Sequence, residues 1–232
     1  MKLTMKQATL ALALAGVFTT ANATVLTLNV LANSVDIVAT SFGGTLLDSA
    51  TTAINNPGYN GFARAAVYDT GTGLDFYYQF SNDSTSINGV ERFSFFDFSS
   101  ENNNIVEIFQ TATGFDGIFV NGTENSDSAD RTNAGVIGFN FEPNGASKIV
   151  PGTSSYIQII RTNARDYVAG NFGLLNGFGD NAVGFAPAIP EPETYAMMLA
   201  GLGLIGFIGR RRLTQAASGF NFMQGGSGMK FA

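Results

Sequence analysis

The chain has 232 residues and a net charge of −6, with 12 Lys and Arg against 18 Asp and Glu. It contains no cysteine, no histidine and no tryptophan. Disulfides, thiol nucleophiles and thiolate metal sites are excluded, together with the usual general base and the commonest transition-metal ligand.

Residues 1–23 read as a secretory signal peptide. Lys2 and Lys6 give a basic start, and residues 10–18 (LALALAGVF) form a short apolar run. Ala21-Asn22-Ala23 supplies the small residues Ala21 and Ala23 of an A-x-A cleavage site. The apolar run is too short to span a bilayer, so this segment predicts an N-terminal signal helix and export.

Removing this segment and the C-terminal stretch described below leaves residues 24–189, a length suited to one domain with a sizeable core. This part carries six Lys and Arg against sixteen Asp and Glu, a balance of −10. Such an acidic surface argues against nucleic acid as a partner.

Apolar and polar residues alternate with period two over residues 24–30, 64–68, 74–80, 91–98, 104–109, 135–141 and 154–162. The runs are rich in Val, Ile, Phe and Tyr, which suit a half-buried pleated surface. Clusters of Asn, Asp, Gly and Pro separate them at residues 55–58, 69–73, 82–84, 102–104 and 143–145. The spacing predicts an all-β fold, a single β-sandwich or jelly-roll domain reaching to about residue 179. The Gly- and Phe-rich residues 170–187 read as a last strand mixed with a linker. Helices are expected only in the two terminal signals.

Three features of this domain invite a chemical reading. Asp69-Thr70-Gly71 is the tripeptide of aspartic peptidases, in which two carboxylates share a proton. The chain has no second copy, and a tight hairpin between flanking strands accounts for the same residues. Residues 121–130 gather Glu124, Asn125, Asp127 and Asp130, oxygen sources that a weak extracellular calcium site could use. Their spacing fits no EF-hand, and a solvated loop explains them as well. The 21 Phe and 7 Tyr could stack on sugars or fill an aromatic core, and the core is the plainer reading. No cofactor is implied.

The C-terminal stretch has three parts in order: Pro190, Glu191 and Pro192; an uncharged apolar run, residues 195–209; and Arg210, Arg211 and Arg212. As a helix the run would rise about 22 Å, short of a hydrocarbon core of about 30 Å. Gly201, Gly203, Gly206 and Gly209 weaken it further. The arginines would hold its end on the cytoplasmic side. The prolines keep the preceding tripeptide extended. These properties suit a marginal membrane anchor with an accessible tripeptide outside, and an ordinary short anchor or a buried core helix fits a run of this length equally well.

Tripeptide, Gly/Leu-rich run and basic cluster together resemble the PEP-CTERM sorting signal, whose C-terminal motif also carries an ice-binding-protein label. The resemblance implies export across the inner membrane of a Gram-negative bacterium. It also implies transient anchoring, cleavage near Pro190-Glu191-Pro192 by a membrane-embedded exosortase, and delivery to the cell surface or extracellular matrix. Residues 64–98 are similar, more loosely, to the body of some exosortase substrates. Residues 213–232, rich in Gly and Ser, read as a flexible tail.

The expected function is that of a non-enzymatic exported protein associated with extracellular polysaccharide or biofilm. The alternatives are a carbohydrate- or ice-binding module and, more remotely, a carboxylate-dependent hydrolase.

Overall fold

The computed structural model describes residues 23–98, 106–142, 147–188 and 197–205. Residues Met1–Pro187 fall in one compact unit and Ala188–Ala232 in a second.

Thirteen strands are present among the described residues of the first unit. In chain order they are β1 (Thr24–Val25), β2 (Val30–Ala32), β3 (Asp36–Ile37), β4 (Thr45–Asn55), β5 (Asn60–Asp69), β6 (Leu74–Asn82) and β7 (Arg92–Phe95). Then come β8 (Glu107–Thr111), β9 (Ser128–Arg131), β10 (Ile137–Asn140), β11 (Ile157–Arg161), β12 (Tyr167–Asn176) and β13 (Phe178–Pro187). They form two sheets. The seven-stranded sheet has the order β1-β8-β11-β6-β5-β4, with β3 also paired to β8; the six-stranded sheet has the order β13-β12-β7-β10-β9-β2. Every pairing is antiparallel except β3 with β8. The all-β expectation holds.

The period-two runs dictate which faces meet. Phe76, Tyr78 and Phe80 of β6 share one buried cluster with Phe93 and Phe95 of β7, Phe139 of β10 and Phe172 of β12. Tyr78 lies 4.1 Å from Phe95 and 5.2 Å from Phe172, ring centre to ring centre. Aromatic side chains from the two sheets therefore interleave, which removes much apolar area from water and adds favourable ring geometry. Two tyrosines tie the sheets by hydrogen bonds as well. Tyr59 Oη donates to the Leu174 carbonyl at 2.7 Å, and Tyr78 Oη donates to the Phe185 carbonyl. Burial pushes the Tyr59 phenol up to about 12 and the Tyr78 phenol well up, so both hydroxyls stay protonated donors at ordinary pH.

Several elements differ from expectation. Residues 24–30 divide between the sheets, because Asn29 takes φ 57° and turns the chain from β1 toward β2. The strand expected over 91–98 stops at Phe95, and Asp97 takes φ 66° just beyond it. Residues 170–187 contain no linker. They belong to a long hairpin, β12–β13, which turns at Gly177 with φ 63°. β4 was not expected at all; it pairs along β5 with one irregularity between Leu46 and Asp48. The predicted turns at 102–104 and 143–145 lie outside the described residues.

In the second unit, residues 197–205 are helical and every one of them is exposed. Nine residues rise only about 13 Å. Among the described residues no helix is long and apolar enough to cross a membrane.

Candidate functional site

The inner faces of the two sheets carry the buried aromatic cluster, which directs attention to the outer faces and rims. The outer face of the seven-stranded sheet carries a second apolar cluster. Ala66, Tyr68, Tyr77, Phe109, Ile157 and Ile159 rise from the strands and meet Val38 and Phe119 from two covering loops. Gln79 pins the second loop: its Nε2 donates to the Val120 carbonyl at 2.7 Å, and its Oε1 accepts from the Val120 amide at 3.0 Å. The Tyr68 and Tyr77 hydroxyls are buried here without a partner in hydrogen-bonding geometry. Asp116 stands by the first and the Phe42 backbone by the second. Burial pushes both phenols well up.

At the rim of this cluster β11 places Arg161 directly opposite Asp75 of β6. The pair is bidentate, Nε to Oδ1 at 2.9 Å and Nη2 to Oδ2 at 2.7 Å. The guanidinium also lies 4.0 Å from the centre of the Phe42 ring, which meets Phe109 edge-on at 4.6 Å. The Asp75 side chain is fully buried while that of Arg161 is 29% exposed. Burial raises the Asp75 carboxyl, with Arg161 pulling it back, and hydrogen bonding to Asp75 raises Arg161. Beside the guanidinium opens a cavity of about 370 Å³ lined by Phe42, Gly43, Gly44, Thr70, Thr72 and Arg161.

The β5–β6 turn forms one wall of that cavity and contains the Asp-Thr-Gly tripeptide. Asp69 Oδ1 accepts the Gly71 amide at 2.7 Å, and Gly71 takes φ 81°. Thr70 Oγ1 accepts the Gly73 amide at 3.1 Å. Asp69 is thus engaged in closing a hairpin, as the turn reading expects. Across the cavity Gly43 takes φ 74° and swings Phe42 back over Arg161. A Cβ on Gly44 would sit 2.7 Å from the Asp69 carbonyl, so only glycine allows this close approach. Neither Phe42 nor Arg161 stands out in the sequence as a site residue. The signal available was small: one aromatic before a Gly-Gly pair, and one arginine ending an apolar run.

The oxygen-rich residues 121–130 are organised by cations of the protein itself. Lys148 Nζ donates to Asn125 Oδ1 and Asp127 Oδ1, each at 2.9 Å. Asp130 lies on β9 and takes a bidentate pair from Arg92, at 2.5 and 2.9 Å. Among the described residues no group of three or more acidic side chains could hold a metal ion.

Of the residues expected to direct export and sorting, Ala23 is half-buried against the outer cluster. Ala21, Pro190, Glu191, Pro192, Arg210, Arg211 and Arg212 lie outside the described residues.

Comparison with protein-family models finds the PEP-CTERM protein-sorting motif at residues 188–212. The motif implies an exported chain that an exosortase handles at the membrane. It spans all six residues expected to form the sorting signal, and it begins directly after β13 ends at Pro187. No curated protein and no solved structure matches the chain.

Proposed function

We propose that this chain is a non-enzymatic exported protein whose β-sandwich, freed of its N-terminal signal peptide, is cargo for an exosortase and ends at the cell surface or in a polysaccharide-rich extracellular matrix. The observation that carries the reading is the sorting motif at 188–212, which begins in the sequence directly after the last strand of the two-sheet unit. The physics of the segment supports a pause rather than a permanent anchor. Its apolar run is short and glycine-rich. Each arginine costs about 2.5–3.5 kcal/mol at the bilayer centre on insertion scales. Arg210, Arg211 and Arg212 therefore halt translocation with the β unit outside. The prolines flanking Glu191 disfavour helix there, which suits reading by an embedded protease. The domain divisions follow: 1–23 removed on export, 24–189 delivered, 190–212 the signal, and 213–232 a tail lost with it.

The test is terminal sequencing of the surface form from an exosortase-containing host, using a full chain tagged after Ala232. The expected product begins at Thr24 and lacks the tag. Glu191→Ala should leave the chain membrane-bound and tagged. Replacing all three arginines with Ser should abolish retention. A tag that stays on the wild-type surface form would show a plain short anchor instead.

A further inference from the structure

We infer that the cavity beside Arg161 is a binding site for an uncharged, hydroxyl-rich glycan segment. This deepens the matrix-association reading by giving it a site and a ligand class. The cavity, about 370 Å³, falls within the roughly 300–1,000 Å³ range of small-molecule sites. Its lining combines the two kinds of surface a sugar ring presents. Phe42 offers an apolar wall for ring C–H groups, while Thr70 Oγ1 is taken up by Gly73 and by a 3.2 Å hydrogen bond with Thr72 Oγ1, which leaves the exposed Thr72 hydroxyl with capacity for a sugar hydroxyl. Arg161 lines the cavity and keeps Nη1 outside its bidentate pair with Asp75, so the guanidinium has a donor left over for a ligand.

Charge selects the ligand. An arginine in a cavity usually suggests an anion, but here Asp75 already balances Arg161 at 2.7 Å and Glu107 faces it from β8. Asp69 closes the neighbouring turn. Around the cavity Arg161 and Arg165 stand against Asp75, Asp69 and Glu107, and the domain carries −10, so an anionic glycan gains no net attraction and a cation would meet the guanidinium. A neutral polyol satisfies the donors and brings no charge.

The site is also built before any ligand arrives. Thr70 is held by the turn, and Arg165 Nη1 donates to the Gly71 carbonyl at 3.1 Å, bracing the turn from the β11–β12 connection. Arg161 is fixed between Asp75 and Phe42. Little ordering is left for binding to impose.

The experiment titrates the purified full chain in detergent with cello-oligosaccharides, dextran oligomers and mannan, and with polygalacturonate as the anionic comparison, read by calorimetry. Saturable binding to at least one neutral glycan is expected. Thr72→Val, an exposed position, and Phe42→Ala should each weaken it about tenfold or more, a change of roughly 1.4 kcal/mol. Phe62→Ala, an exposed aromatic of β5 away from the cavity lining, should leave it unchanged. Thermal unfolding checks each variant, and Thr72→Val decides if Phe42→Ala is destabilised. Absence of binding to every neutral glycan, preference for polygalacturonate, or full affinity in Thr72→Val would overturn the site. Sorting is read separately by tag loss, so a retained tag with intact glycan binding would remove the exosortase reading and leave this one standing.

Discussion

On the six-stranded sheet, Arg92 reaches sideways to Asp130 with the two side chains 29% and 26% exposed. On the seven-stranded sheet, Arg161 makes the same kind of pair with Asp75, whose side chain is wholly buried. The chemistry is equal and the surroundings are not. Asp130 is held below the usual carboxylate range, first by its hydrogen bond from Arg92. Asp75 is pushed above it, because desolvation outweighs the hydrogen bond from Arg161. Water makes the first pair easily replaced. Its absence makes the second a commitment of the fold, since neither partner can be lost alone. That difference also explains why the cavity lies where it does. A covered face with a fixed guanidinium at its rim can hold a shaped site, whereas the open face holds a solvated ladder.

Breaking the buried pair should have the largest effect. Arg161→Ala leaves the Asp75 carboxylate buried without its cation and should cost about 3–5 kcal/mol in urea unfolding. The double variant Asp75→Ala/Arg161→Ala should recover part of that loss, and a double variant as unstable as the single would refute the account. Next in size is Gly138→Val. A Cβ at Gly138 would stand 1.9 Å from Arg92 Nη2, so the guanidinium must leave its lane across β10. Crowding of this kind costs about 1–3 kcal/mol. A structure of this variant with Arg92 still on Asp130 would contradict the reading. Asp130→Asn, by contrast, should cost only about 0.2–1 kcal/mol, because the pair is partly solvated and screened. A loss as large as that of Arg161→Ala would erase the contrast between the faces.

The smallest effect is a pH signature with opposite signs. Asp130 has a folded pKa below its ordinary value of 3.8. Its contribution is present above that value and fades as pH falls through the lower folded value. Asp75 has a folded pKa above 3.8. Its protonation contributes stability below 3.8, and that contribution is lost as pH rises through the folded value. Unfolding curves of Asp130→Asn and Asp75→Asn against wild type across this acid range should therefore diverge in opposite directions. Parallel curves would show that burial does not dominate at Asp75.

The strongest strands were legible because their residues alternate and are large. LDFYYQF predicted β6 over 74–80, and the strand runs Leu74–Asn82. The Asp69–Gly73 turn was equally plain, since Gly71 sits where only a positive φ closes the hairpin. β4 was illegible for a physical reason. It is an edge strand, mostly small and polar and largely exposed, with only Ile54 buried, so no continuous buried face imposed alternation on its sequence. β9 reads SADR and carries two charges. It is a strand because Asp130 finds Arg92 on β7 while Arg131 turns inward to the Phe98 carbonyl at 3.1 Å.

What the sequence determined by itself is local: where alternation builds strands, where glycine and asparagine turn them, and the sorting motif, whose three parts are contiguous and act as a linear signal. The tertiary structure alone decided the pairings between distant residues. Arg161 and Asp75 are 86 positions apart, and Phe42 is further still from Arg161. No periodicity encodes which strand will lie beside which, because that choice is made by the whole aromatic core as it closes. The cavity, and any ligand it takes, exists only once that closure brings a Gly-Gly loop, a hairpin turn and the end of β11 to the same rim.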